Sequence, residues 1–315
     1  MPRTLLTSIL LLAACLIAPA AASAQETVVA PDPAAEQITA LDGTLVWVSG
    51  TFGAQQVFMR APDGTISAVK GAPRSRSYRS IDLGHDSDGK LLLTYLRCDT
   101  SSSCKSLWND LDGRRATFRN LEPRGCKINT AVSQWRTRLA YGLFCTGSGA
   151  NRKLTGLYTK NGSRKPVRLP RPKDAVKFGV RTIESVDLRG ERVAAVAADI
   201  FEYSFSQTVG GRDMRSILAA ASEGESDENA RGLSIQSAAT HWTLTDATHT
   251  GDPNTAYIFR QTGGCLQREL LVSGPSPTEE FEATDVAADG ATLYLLKPGI
   301  GIVTHAFTAD PTLSC

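Results

Sequence analysis

The chain has 315 residues, with 34 Lys and Arg against 32 Asp and Glu, a formal net charge of +2 and 42% apolar residues. A near-neutral chain of this length can bury a large single core. Beyond its first residues, no apolar stretch is long enough to span a bilayer.

The amino terminus reads as a secretory signal over residues 1–24. Met1 to Thr4 carries one Arg, Leu5 to Ala18 is almost wholly apolar, and Ala22-Ser23-Ala24 is an A-x-A cleavage site before Gln25. The mature chain is then 25–315, secreted to the extracellular space or cell envelope. A rival reading takes Leu12-Ala13-Ala14-Cys15 as a lipobox, with Cys15 as a lipidated tether. Against it, the apolar run continues through Leu16 and Ile17.

Six apolar strands then recur: Thr44 to Val48, Lys90 to Leu96, Arg138 to Phe144, Arg192 to Ala197, Trp242 to Thr245 and Ala291 to Leu296. The residues just before them, Gly43, Gly89, Arg136, Gly190, His241 and Gly290, are 46 to 54 residues apart. Such a period fits one four-stranded propeller blade. Hairpins follow at Asp63-Gly64, Asp112-Gly113, Asn161-Gly162 and Gly263-Gly264. The Asn161-Gly162 pair predicts a two-residue type I′ turn. Met214 to Ser222 reads as a short helix by composition and as a third or fourth strand by position. The sixth unit is one strand short, and Glu26 to Ala30 is predicted to pair with it. The fold class is thus all-β: a six-bladed propeller of four-stranded antiparallel blades, with the N-terminal strand closing the last blade.

Removal of Cys15 leaves six cysteines, and in an exported chain these suggest three disulfides. Cys126 and Cys145 are symmetric about a predicted turn at Gln134 to Thr137. Cys98 and Cys104 flank the Asp99 to Ser103 loop, which leaves Cys265 with Cys315.

The units VFMRAPDGT and LYTKNGSRKPVRL resemble the repeat of the TolB-like six-bladed propellers, weakly per unit but over the whole mature chain. The resemblance implies a platform for protein or ligand binding, with sugar-lactone enzymes among the wider relatives. The fourth and sixth units depart from it, lacking the Asp-Gly or Asn-Gly turn.

Charge is segregated along the chain. Residues 60–181 hold 25 Lys and Arg against 9 Asp and Glu, whereas the rest of the mature chain holds 8 against 23. Propeller connectivity puts the loops between blades and those between second and third strands on one face. Arg74, Arg76, Arg79, Arg124, Lys127, Arg152, Arg171 and Lys173 fall in or beside such loops, as do Phe201, Tyr203 and Phe205 of the FEYSF run. The basic arc suits an acidic cell-surface polymer or acidic partner protein, against the plainer reading of solvated loop charges. Phe201 to Phe205 reads as a contact loop or as an extended hairpin with alternate residues buried. Nucleic acid is not expected, because aromatic residues do not interleave the basic ones.

Catalytic signatures are thin, with no H-E-x-x-H, G-x-S-x-G or P-loop, and no cofactor is expected. Asp86 and Asp88 form a D-x-D-G fragment with calcium-type ligands, but Asp-Gly is also a common turn. His241, Asp246, His249 and Asp252 match no standard zinc spacing. The alternative function, a metal-dependent hydrolase or lactonase, needs inner-strand carboxylates such as Asp82, Glu184 and Asp285 to converge. The recurrent Trp47, Tyr95, Tyr141 and Tyr294 read as packing core.

Overall fold

The computed structural model describes residues 26–100, 103–119, 121–128, 132–146, 155–169, 183, 185–197, 199–204, 213–217, 227–236, 239–247, 254–262, 265–274 and 285–310. The expected signal and Cys15 lie outside them. Among the described residues no helix is long and apolar enough to cross a membrane.

The chain begins with β1 (Thr27–Ala30) and continues as a series of four-stranded meanders. The first is β2 (Ala35–Leu41), β3 (Thr44–Ser49), β4 (Gln56–Arg60) and β5 (Ile66–Ala68). The second is β6 (Ser77–His85), β7 (Leu91–Cys98), β8 (Cys104–Asn109) and β9 (Arg115–Thr117). In the third, β10 (Cys126–Lys127) and β11 (Val132–Trp135) together flank β12 (Arg138–Cys145), followed by β13 (Gly156–Asn161) and β14 (Val167–Arg168). Next come β15 (Ser185–Arg189), β16 (Arg192–Ala197), β17 (Asp199–Ser204) and β18 (Asp213–Ile217). They are followed by β19 (Asp227–Gln236), β20 (Ala239–Ala247), β21 (Asn254–Thr262) and β22 (Cys265–Gly274). The last meander is β23 (Asp285–Asp289), β24 (Thr292–Lys297) and β25 (Gly301–His305), and β1 joins it antiparallel to β25.

The innermost strands close a cycle. β2 packs on β6, β6 on β11, β11 on β15, β15 on β19, β19 on β23, and β23 on β2 again. Antiparallel sheets stacked face to face around one axis define a β-propeller. The second strands are buried on both faces, which is why they read as continuous apolar runs. β3 is buried along its whole length, and Trp47 stacks on Phe58 with ring centroids 5.9 Å apart. Tyr141 stacks on Tyr158 and Trp242 on Phe259 in the same way, at 5.8 and 5.3 Å. These rings are packing core, joined by the buried Tyr95 and Tyr294.

Local structure corrects two expectations. The turn after β13 is not a two-residue type I′: Thr159 pairs with Val167, and only Gly162 has a positive φ. Asn161 instead ends β13 opposite Arg138 and accepts a hydrogen bond from Thr137 Oγ1, while Gly162 N donates to Thr137 O. The neighbouring hairpin therefore holds this turn open. The type I′ signature appears at Asp42-Gly43, where both φ angles are positive and Leu41 pairs with Thr44.

The second correction concerns Phe201 to Phe205. Phe201 and Tyr203 lie in β17, paired between β16 and β18, rather than in a long loop; Phe205 lies outside the described residues. Met214 falls in β18, a strand, while residues 218–222 lie outside the described residues.

The Cys98–Cys104 and Cys126–Cys145 disulfides are formed across paired strands. Cys265 is disulfide-bonded, and Cys315 lies outside the described residues.

Candidate functional site

In each meander the first and third strands start on the same face, so the loops between sheets and those between second and third strands share it. The axis opens on this face into a cavity of about 620 Å³. Its wall consists of residues 35–39, 79–82, 185–187, 232–234 and 285–287 of the inner strands, with Pro298. Further along the axis a side chain crosses it. Arg189, in β15, reaches to β2 on the opposite side of the cycle, where its guanidinium donates to Ala40 O at 2.7 Å.

Six short polar side chains ring the axis, one per inner strand: Thr39, Asp82, Ser133, Asp187, Ser234 and Asp285, all but Ser133 lining the cavity. Hydroxyls alternate with carboxylates, and each grips the neighbouring strand. Leu83 N donates to Thr39 Oγ1 at 3.0 Å, and Ser133 Oγ donates to Asp82 Oδ2 at 2.5 Å. Leu188 N donates to Ser133 Oγ at 2.9 Å, and Ile235 N to Asp187 Oδ2 at 2.5 Å. Ala288 N donates to Ser234 Oγ and Ile38 N to Asp285 Oδ2, each at 2.9 Å, which completes the circle. Inner strands of adjacent sheets share no backbone ladder, so these side chains satisfy amides that would otherwise be buried without partners.

Electrostatics follow from this burial. Burial foremost, then the charge of Asp187, pushes the Asp82 carboxyl well above the usual carboxylate range; Arg189, Ser133 and Thr39 oppose the shift. Burial also raises Asp187, against the pull of Arg189, whose Nε is 3.5 Å from Asp187 Oδ1. Nearer the mouth, burial raises the half-buried Glu36, and a hydrogen bond from Gln55 Nε2 opposes it.

Of the inner-strand carboxylates marked in the sequence, Asp82 and Asp285 belong to this circle and Glu184 lies outside the described residues. Thr39, Ser133, Asp187 and Ser234 were missed. Their signal is a short polar residue between apolar neighbours, as in Ile38-Thr39-Ala40, Val186-Asp187-Leu188 and Leu233-Ser234-Ile235, recurring with the period of the blades. Among the described residues no group of three His, Cys, Asp or Glu side chains is placed to hold a metal ion.

Asp86 Oδ1 accepts from Asp88 N and Lys90 N, both at 2.9 Å, and so shapes the turn from β6 to β7 on the face opposite the cavity mouth. His241 is buried on β20, its pKa depressed to about 4 by burial, Arg260 and Arg192 in that order. Asp246 also lies on β20, and His249 and Asp252 lie outside the described residues.

Of the basic residues singled out in the sequence, only Arg79 lines the cavity; the others that are described lie in or beside connections on the face where it opens. Arg74 and Arg76 are exposed in the connection from β5 to β6, and the half-buried Arg79 lines the cavity. Arg124 and Lys127 are exposed at the next such connection, Lys127 Nζ standing 3.4 Å from Glu122. Lys105 is exposed at the start of β8, on the same face. Arg152, Arg171 and Lys173 lie outside the described residues.

No protein-family model and no curated protein matches the chain. Solved structures do. AofleA from Arthrobotrys oligospora is 10% identical with a TM-score of 0.50, over 91% of this chain and 87% of that one. A six-bladed propeller lectin from Aleuria aurantia, reported with a novel fucose recognition mode, is 10% identical with a TM-score of 0.48, over 90% of this chain and 97% of that one. The β-propeller domain of the Trilobed protease from Pyrococcus furiosus is 10% identical with a TM-score of 0.44, over 88% and 79%. At such identities the likeness is one of fold alone.

Proposed function

We propose that the chain is an exported, non-enzymatic binding module, a six-bladed propeller of TolB-like type, that engages a polyanion with the face around the cavity mouth. The observation that carries this reading is the clustering of Arg74, Arg76, Arg79, Lys105, Arg124 and Lys127 at successive loops of one face. Cations on neighbouring loops sum into one field, and guanidinium groups bind carboxylate and phosphate oxygens with directed hydrogen bonds. An acidic cell-surface polymer, or an acidic protein, is the partner of matching chemistry.

The axial carboxylates support the same reading. Asp82, Asp187 and Asp285 hold neighbouring strands, which gives the buried Asp82 and Asp187 and the half-buried Asp285 a structural role. The Cys98–Cys104 and Cys126–Cys145 disulfides and the disulfide-bonded Cys265 suit an oxidising compartment, in keeping with export.

Retention on an immobilised heparin-type column, eluted with salt, tests the proposal. The mature chain is expected to elute late, and a variant carrying Arg74→Glu, Arg76→Glu, Arg124→Glu and Lys127→Glu to flow through. Equal elution of the two proteins would overturn it.

A further inference from the structure

Phe52 is 56% exposed, the most exposed of the large apolar side chains in the described residues, and it stands on a braced loop. Between β3 and β4, Gly50 N donates to Ala34 O at 3.1 Å and Gly53 N to Arg76 O at 2.7 Å, while Gln55 and Ser75 exchange two backbone bonds of 2.9 Å. The Arg76 guanidinium carbon sits 4.9 Å from the centroid of the Phe52 ring. Arg74, two residues before Arg76, donates a 3.2 Å bond to Gln56 Oε1 at the start of β4. Gln55, at the end of the loop, reaches Glu36 on the cavity wall, so this group borders the mouth.

An aromatic ring kept in water by a fixed backbone offers a flat apolar surface that needs no ordering before it binds. The Arg76 guanidinium lies over one face of the ring, leaving the other for a ligand, and with Arg74 it supplies forked donors for carboxylate. A phosphate chain would use the cations and leave the ring idle. A sugar acid uses both, through the apolar C–H face of the pyranose and its carboxylate.

We infer that Phe52, Arg74 and Arg76 form a subsite for carboxylated sugar units, so that the polyanion is an acidic polysaccharide. This rests on the polyanion reading above. The sugar's C–H face packs on Phe52, and its carboxylate pairs with Arg74 and Arg76.

Binding of the full mature chain to polygalacturonate and to inorganic polyphosphate, at matched salt, tests the assignment. Phe52→Ala is expected to weaken polygalacturonate binding roughly tenfold, the scale of a contact hot spot, and to leave polyphosphate binding unchanged. Phe52→Tyr is expected to retain both. Because the ring is exposed, thermal melting of both variants is expected to match the parent. Phe52→Ala binding both polymers as the parent does, or losing both alike, would overturn the subsite. Failure of the parent chain to bind either polymer would instead overturn the polyanion reading, and the subsite with it.

Discussion

Arg189 donates a 2.7 Å hydrogen bond to the carbonyl oxygen of Ala40 across the propeller axis, between strands 149 residues apart in the chain. The same guanidinium is the countercharge of the buried Asp187. One side chain therefore bridges opposite inner strands and faces a buried carboxylate in the cavity wall.

Arg189→Met removes that countercharge and leaves the buried Asp187 with only the weaker pull of Arg192. The expected loss is about 3–5 kcal/mol, the usual cost of breaking a buried pair from one side. Adding Asp187→Asn should recover part of it. The midpoint of urea unfolding, read for the parent, the single variant and the double variant, checks both statements.

Ser133 both donates to Asp82 and accepts from Leu188 N, so it links three inner strands. Ser133→Ala strands a buried amide and a buried carboxyl together. A loss of about 2 kcal/mol is expected. Amide exchange at Leu188 should quicken more than at Leu143, which is buried but remote from the circle.

Gly84 marks the closest approach of β6 to β11. A Cβ there would overlap the carbonyl oxygen of Gln134, backbone that cannot move aside without disturbing the next sheet. Gly84→Ala is expected to cost about 2 kcal/mol through overpacking, lowering the thermal midpoint, whereas Gly89→Ala in the nearby turn acts only through its positive φ.

The seam where β1 joins β25 should depend on pH. His305 Nδ1 lies 3.1 Å from Glu26 and Nε2 lies 3.0 Å from Glu269; Lys297 Nζ is 2.6 Å from Glu26. Burial lowers the His305 pKa, but the two carboxylates outweigh it and hold the value above 6.5. For Glu26 burial acts upward, yet Lys297 and His305 bring it below 4.5. The histidine's contribution is therefore whole below its unfolded pKa and fades as pH rises through the higher folded one. That of Glu26 is present above its unfolded value and fades as pH falls through the lower folded one. Amide protection in Thr27–Ala30, taken relative to the intrinsic exchange rate at each pH, should be greatest between those limits and fall on the alkaline side. His305→Gln should abolish the alkaline limb and weaken the acid one, which then rests on Lys297.

Much of the fold was legible because repeated burial leaves a repeated pattern. The second strands lie within a few residues of their apolar runs: Arg192–Ala197 matches throughout, and Thr44 to Val48 extends by Ser49. Tertiary context defeated the rest. The Asn161-Gly162 pair carries turn chemistry, but Thr137 engages both residues and widens the loop. The aromatic run at Phe201 alternates with polar residues as loop contacts or strands both do, and only pairing to β16 and β18 decides it. The circle of Thr39, Asp82, Ser133, Asp187, Ser234 and Asp285 was partly visible as recurring carboxylates. Its hydroxyl members were hidden, because Ser and Thr between apolar residues suit any strand.

The most direct test of the central claim is the affinity of the mature chain for polygalacturonate, measured by calorimetry at low and high salt. Binding that weakens steeply with salt, and that disappears in the variant reversed at Arg74, Arg76, Arg124 and Lys127, is the predicted result. Affinity that ignores salt, or that survives the reversal, would contradict the assignment of the cavity-mouth face as a polyanion site.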